Sequence, residues 1–121
     1  MGLFGKGKKM KEDREEARFK KPDEVQKLID EKSEPYLLVD VRTPGEYKAG
    51  HIPSATQITH TEIGDTPPTE DKDARIIVYC RSGNRSEQAR QVLLGMGYMN
   101  VTNLGGVIDW PGRLVEGSDP E

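Results

Sequence analysis

Arg75-Ile76-Ile77-Val78-Tyr79-Cys80-Arg81-Ser82-Gly83-Asn84-Arg85-Ser86 is the stretch on which the fold turns. Its first half is continuously apolar and rich in β-branched residues, which predicts a strand covered on both faces rather than one with a wet side. A short polar loop follows, with one glycine and no proline. Ala89, Val92, Leu93 and Met96 then recur at helical spacing, and Gly97 closes that helix. Asn100-Val101-Thr102-Asn103-Leu104 returns as a second strand. Strand, loop, helix and strand in that order make a right-handed βαβ unit, the building block of a parallel sheet.

Toward the N-terminus the same alternation continues. Tyr36-Leu37-Leu38-Val39-Asp40-Val41 is another unbroken apolar run, placed at the centre of the sheet. A helix before it starts at Pro22, which suits a first helical position, carries Asp23 and Glu24 near its positive end, and stops near Ser33. Thr43-Pro44-Gly45-Glu46 has the spacing of a capping box and opens a short helix that ends at Gly50. His51-Ile52-Pro53-Ser54-Ala55 turns into a brief strand around Gln57 and Ile58, and residues 60–75, with two prolines, form a surface loop. Beyond Leu104, Gly105 to Trp110 is expected to form a last short helix. The fold class is α/β: a central, mainly parallel sheet flanked by helices on both faces.

The 121 residues suit one domain, and Leu, Ile, Val and Phe supply only 25 of them, so the core is small. No apolar run approaches the roughly 20 residues that cross a bilayer. The opening residues carry lysines without an apolar stretch, so no secretory leader and a cytoplasmic location are expected. Residues 1–21 hold eight Lys and Arg against four Asp and Glu, whereas the chain as a whole carries −3. Residues 1–20 are therefore assigned to a basic tail, disordered or frayed-helical, that solubilises rather than binds lipid or nucleic acid. Residues 21–117 form the domain, and 118–121 a loose acidic end.

Cys80 is the sole cysteine, which excludes an internal disulfide, and two histidines do not complete a zinc cage. No metal or cofactor is expected. Its position is informative, because the C-terminal end of a buried strand in an α/β sheet borders the crevice where ligands bind. The N–H groups of the loop from Arg81 to Ser86 can curl toward the sulfur as an anion-binding nest, and the next helix adds its positive end. Arg81 and Arg85 add two cations. All of these favour thiolate. From a reference pKa of about 8.5, roughly 3% of a thiol is ionised at pH 7, and a drop of about two units raises that to roughly 75%.

Three ordered blocks resemble the single-domain rhodanese-like sulfurtransferases. Asp40-Val41-Arg42 with Glu46-Tyr47 and Gly50-His51-Ile52-Pro53-Ser54-Ala55 is similar to the first signature, Tyr79 to Ser86 to the active-site loop, and Gly105-Gly106 with Trp110 to the closing signature. Two departures are Ser54, where many members carry glycine, and Pro111, which shortens the last helix. The resemblance implies a rhodanese-like fold and a nucleophilic Cys80, with Arg81, Ser82, Gly83, Asn84, Arg85 and Ser86 binding substrate. It further implies a sulfane sulfur taken from thiosulfate or a persulfide and passed to cyanide, a thiol or a sulfur-carrier protein. His51 is expected to be a hydrogen-bonded turn residue rather than a base, Asp40, Arg42 and Glu46 a structural ion pair, and Trp110 a core lid.

Two rivals stand beside this. A phosphatase or arsenate reductase of related fold needs five residues between cysteine and arginine, and here Cys80 and Arg85 enclose four. A non-catalytic, sulfur-sensing module commonly lacks the cysteine that this chain has.

Overall fold

The computed structural model describes residues 19–121. Helix α1 (Pro22–Glu31), strand β1 (Leu37–Asp40), helix α2 (Pro44–Ala49), strand β2 (Thr56–Gln57), strand β3 (Arg75–Cys80), helix α3 (Asn84–Gly95) and strand β4 (Asn100–Gly106) follow in order. A turn of 3₁₀-helix at Val107–Asp109 completes them. The sheet order is β2-β1-β3-β4 and every pairing is parallel, which puts the two apolar strands in the middle.

The alternation of strand side chains divides the core in two. Leu38, Ile77 and Tyr79 point to one face, where they pack with Val25 and Leu28 of α1, Tyr47 of α2 and Trp110. Val39, Ile76, Val78 and Cys80 point to the other, against Ala89 and Leu93 of α3 with Tyr98 and Val101. Both faces are covered, as a run without polar alternation requires. Among the described residues no helix is long and apolar enough to cross a membrane.

Several boundaries depart from the sequence expectations. The last helix does not begin at Gly105: both glycines belong to β4, and a single 3₁₀ turn follows before Pro111. The cause is a slip in register, where Val78 faces Asn103 but Tyr79 faces Gly105, with Gly105 at φ +109°. A glycine adopts that φ without strain. On α3, Val92 is 42% exposed, and the buried face is Ser86, Ala89 and Leu93 instead. Residues 1–18 of the basic segment lie outside the described residues. Phe19, assigned to that segment, is 6% exposed and packs in the core.

The stretch after Val115 is held through its backbone while its side chains face water. His51 and Val115 exchange N–H···O bonds, Gly117 N donates to Lys48 O, and Ser54 N donates to Pro120 O at 2.7 Å. Ser54 sits at φ +77°, a region where glycine is at home.

Candidate active site

The C-terminal ends of β1, β3 and β4 meet at one edge of the sheet, on either side of the boundary where the chain's path reverses, the usual place for a ligand crevice. Cys80 is the last residue of β3 and is 1% exposed. The loop after it folds over its sulfur. Gly83 N donates to Cys80 Sγ at 2.9 Å, and Ser86 Oγ lies 3.4 Å away. Gly83, at φ +108°, is the residue before the first turn of α3, and this left-handed conformation turns its N–H inward.

Burial pushes the thiol pKa upward, but the Ser86 hydroxyl and the backbone N–H groups of Ser86, Gly83 and Ser82 outweigh it, so the net shift is downward. The site stabilises negative sulfur with the Ser86 hydroxyl and a set of main-chain donors, the latter needing no reorganisation when charge develops.

The two arginines differ from the expectation of a pair of cations facing the sulfur. Arg81 is exposed at the rim. Arg85 is committed to Glu46 in a two-point pair, Nη1 to Oε1 at 2.8 Å and Nη2 to Oε2 at 3.1 Å. The pair holds the Glu46 carboxyl down to about 2, with the Thr43 N–H and hydroxyl assisting against burial. Glu46 thereby caps α2 and clamps the loop at once. Glu46 therefore does not join Asp40 and Arg42 in the one structural ion pair that its spacing to them predicts. Asp40 and Arg42 pair with each other at 2.5 Å, and Arg42 also donates to Gly50 O at 2.7 Å.

His51 is fully buried, stacked on the Tyr47 ring at 3.7 Å. Its Nδ1 lies 2.9 Å from Tyr47 O and its Nε2 2.8 Å from Asp119 O, so both nitrogens are occupied at the turn. Trp110 is 9% exposed within the core, as expected of a lid. Among the described residues no three His, Cys, Asp or Glu side chains gather as metal ligands would.

Three further residues shape the site without having been singled out for it. Glu46 holds Arg85, as above. Gly106 lies flat beneath the loop: a Cβ there would fall 2.3 Å from Arg81 O and 2.6 Å from Ser82 Cα, both backbone atoms. The consecutive glycines were the available signal for that close approach. Asn103, in β4, accepts from Ser86 Oγ at 2.8 Å and donates to Gly83 O at 3.1 Å. Nothing in its local sequence distinguishes it from a surface asparagine.

Comparison with known proteins places the chain in a family. The rhodanese-like domain family model matches residues 21–111. A sulfurtransferase of Allochromatium vinosum is 45% identical over 86 residues, covering 70% of this chain and 78% of that protein. The thiosulfate sulfurtransferase GlpE of Pseudomonas entomophila is 34% identical over 92 residues, covering 72% and 84%. Among solved structures, a rhodanese-like domain protein from Staphylococcus aureus superposes with a TM-score of 0.70 at 32% identity, covering 81% of this chain and 96% of that one.

Proposed function

The chain belongs to the rhodanese-like domain family, and from that premise we propose that it is a sulfurtransferase whose nucleophile is Cys80. The observation that carries this is the convergence of Gly83 N and Ser86 Oγ on Cys80 Sγ, at 2.9 and 3.4 Å. The Cys80 thiolate attacks the outer sulfur of thiosulfate. A Cys80 S–S bond forms, the sulfur–sulfur bond of the donor breaks, and sulfite departs with the electron pair. A nucleophilic acceptor, cyanide or a thiol, then attacks the outer sulfur of the persulfide and returns Cys80 as thiolate. Arg81, Ser82, Gly83, Asn84, Arg85 and Ser86 form the donor pocket. The names of the relatives favour thiosulfate as donor. In the pocket, Arg81 is the arginine at the rim, and Arg85 acts by holding the loop's shape.

Incubation with thiosulfate should add one sulfur atom to the intact mass, and a thiol should remove it. Cys80→Ser should stay folded and show no such gain. A protein that gains no sulfur from thiosulfate or from a small persulfide would overturn the proposal. Arg81→Ala should raise KM for thiosulfate several-fold at nearly constant kcat, as loss of a ground-state anion contact does. The alkylation rate of Cys80 should rise with a midpoint below the ordinary thiol value of about 8.5.

A further inference from the structure

Ser86 Oγ carries one hydrogen and has three acceptors in reach: Asn103 Oδ1 at 2.8 Å, Gly83 O at 3.1 Å and Cys80 Sγ at 3.4 Å. The shortest of these is not the sulfur. Asn103 cannot yield by turning its amide, because both ends are fixed. Gly105 N–H, which only donates, lies 2.9 Å from Oδ1, and Gly83 O, which only accepts, lies 3.1 Å from Nδ2. Glu87 Oε1 takes the second Nδ2 hydrogen at 3.3 Å. The amide therefore ties β4, the start of α3 and the loop together at a single side chain.

We propose that Asn103 is a positioning residue for the sulfur site, one that anchors the Gly83 carbonyl and competes with Cys80 Sγ for the single proton of Ser86 Oγ. With Cys80 as thiol the sulfur is a weak acceptor and the hydroxyl stays on the amide. A thiolate is a stronger acceptor and draws the hydroxyl across. Once charge has moved to the outer sulfur of a persulfide, the hydroxyl returns to Asn103, leaving the main-chain N–H groups to hold the bound sulfur. The bulge in β4 serves this arrangement: the slip at Gly105 turns its N–H onto Oδ1 and locks the amide's orientation.

The inference rests on the sulfur-transfer reading only for its effect on turnover, so its test is made on Cys80 itself. The pH midpoint of alkylation is measured for Asn103→Ala, Ser86→Ala and the double variant, with thermal melts to confirm folding. Any disturbance of loop shape by Asn103→Ala acts in both backgrounds, whereas competition for the proton needs the Ser86 hydroxyl. With Ser86 present, the midpoint change caused by Asn103→Ala should therefore lie lower than its change in the Ser86→Ala background. The gap should be roughly half a pH unit, the size of one ordinary hydrogen bond. Equal changes in the two backgrounds would overturn the proposal. If Asn103→Ala does not fold, Asn103→Asp serves with the opposite sign: its carboxylate holds the hydroxyl harder, so its upward change should be larger with Ser86 than without it. A clear coupling in a protein that transfers no sulfur would sink the functional reading alone. Sulfur transfer with no coupling would sink this inference alone.

Discussion

Two arginine–carboxylate pairs sit at the same end of the sheet, and they differ in burial and in span. Asp40 and Arg42 are two residues apart, with side chains 0% and 7% exposed, and Arg42 reaches on to the Gly50 carbonyl. Glu46 and Arg85 are 39 residues apart and about one third exposed at 32% and 30%. The first pair is part of the architecture, because neither charge can return to water unless the chain unfolds there. The second is a strut between α2 and the Cys80 loop, bathed by solvent and open to salt and acid. Burial, rather than charge or contact distance, separates a pair the fold depends on from one that only adjusts the site.

The strongest way to break this contrast is Arg42→Met, which strands the Asp40 carboxylate in the core. A loss of about 3–5 kcal/mol in urea denaturation is expected, a large part of the 5–15 kcal/mol typical of a domain. A loss below about 1 kcal/mol would mean that the buried pair is as dispensable as an exposed one.

A contact to the same loop that involves no charge sharpens the comparison. Gly106→Ala must push the Arg81–Ser82 backbone away, since those atoms lie 2.3 and 2.6 Å from the added carbon. The displaced N–H groups should lower kcat/KM by about 10- to 100-fold. Gly95→Ala, where the added carbon meets nothing within 4 Å, is the matched control and should leave turnover unchanged.

Glu46→Gln comes next. It keeps an oxygen for the Thr43 cap and removes the charge facing Arg85. Stability should fall by about 0.5 kcal/mol, as for an exposed pair, and KM for thiosulfate should drop a few-fold as Arg85 regains its influence on an anion. A stability loss matching that of Arg42→Met would show that exposure is not what decides.

The smallest effect is in acid. The Glu46 carboxyl has its pKa lowered from 4.5 to about 2 in the folded chain. A lowered folded value means that the pair's contribution is complete above 4.5 and fades as pH falls toward about 2. Curves of stability against pH for the parent and Glu46→Gln should run about 0.5 kcal/mol apart at neutral pH and converge over that interval.

The layers were legible in sequence because unbroken apolar runs such as residues 76–79 suit only a strand buried on both sides, and Cys80 stood out by ending one of them. The capping box at Thr43 was legible because its spacing is local. What was hidden depends on the third dimension. Glu46 reads as a cap, and its second partner lies 39 residues away. Val92 has helical spacing with Ala89 and Met96, but the face that α3 turns to the sheet runs through Ser86, Ala89 and Leu93 and leaves Val92 exposed. Asn103 carries no local sign of its role, because the bulge that aims its amide exists only once β3 and β4 have paired. Arg81 and Arg85 looked equivalent on paper, and only the fold revealed that one was already taken.

The loop that covers Cys80 addresses the sulfur through main-chain N–H groups and the Ser86 hydroxyl, while the side chains of Arg81, Ser82 and Asn84 are exposed to water. The groups that touch the sulfur and the side chains that face solvent are thus separate parts of the same few residues. A library randomised at positions 81, 82 and 84 should change donor preference while leaving the alkylation midpoint of Cys80 where it is. Positions 83, 86 and 106, fixed by a positive φ, a contact to the sulfur and a close backbone approach, should tolerate no such search. The loop thus lays a short set of exposed side chains over a backbone that is already committed to the sulfur.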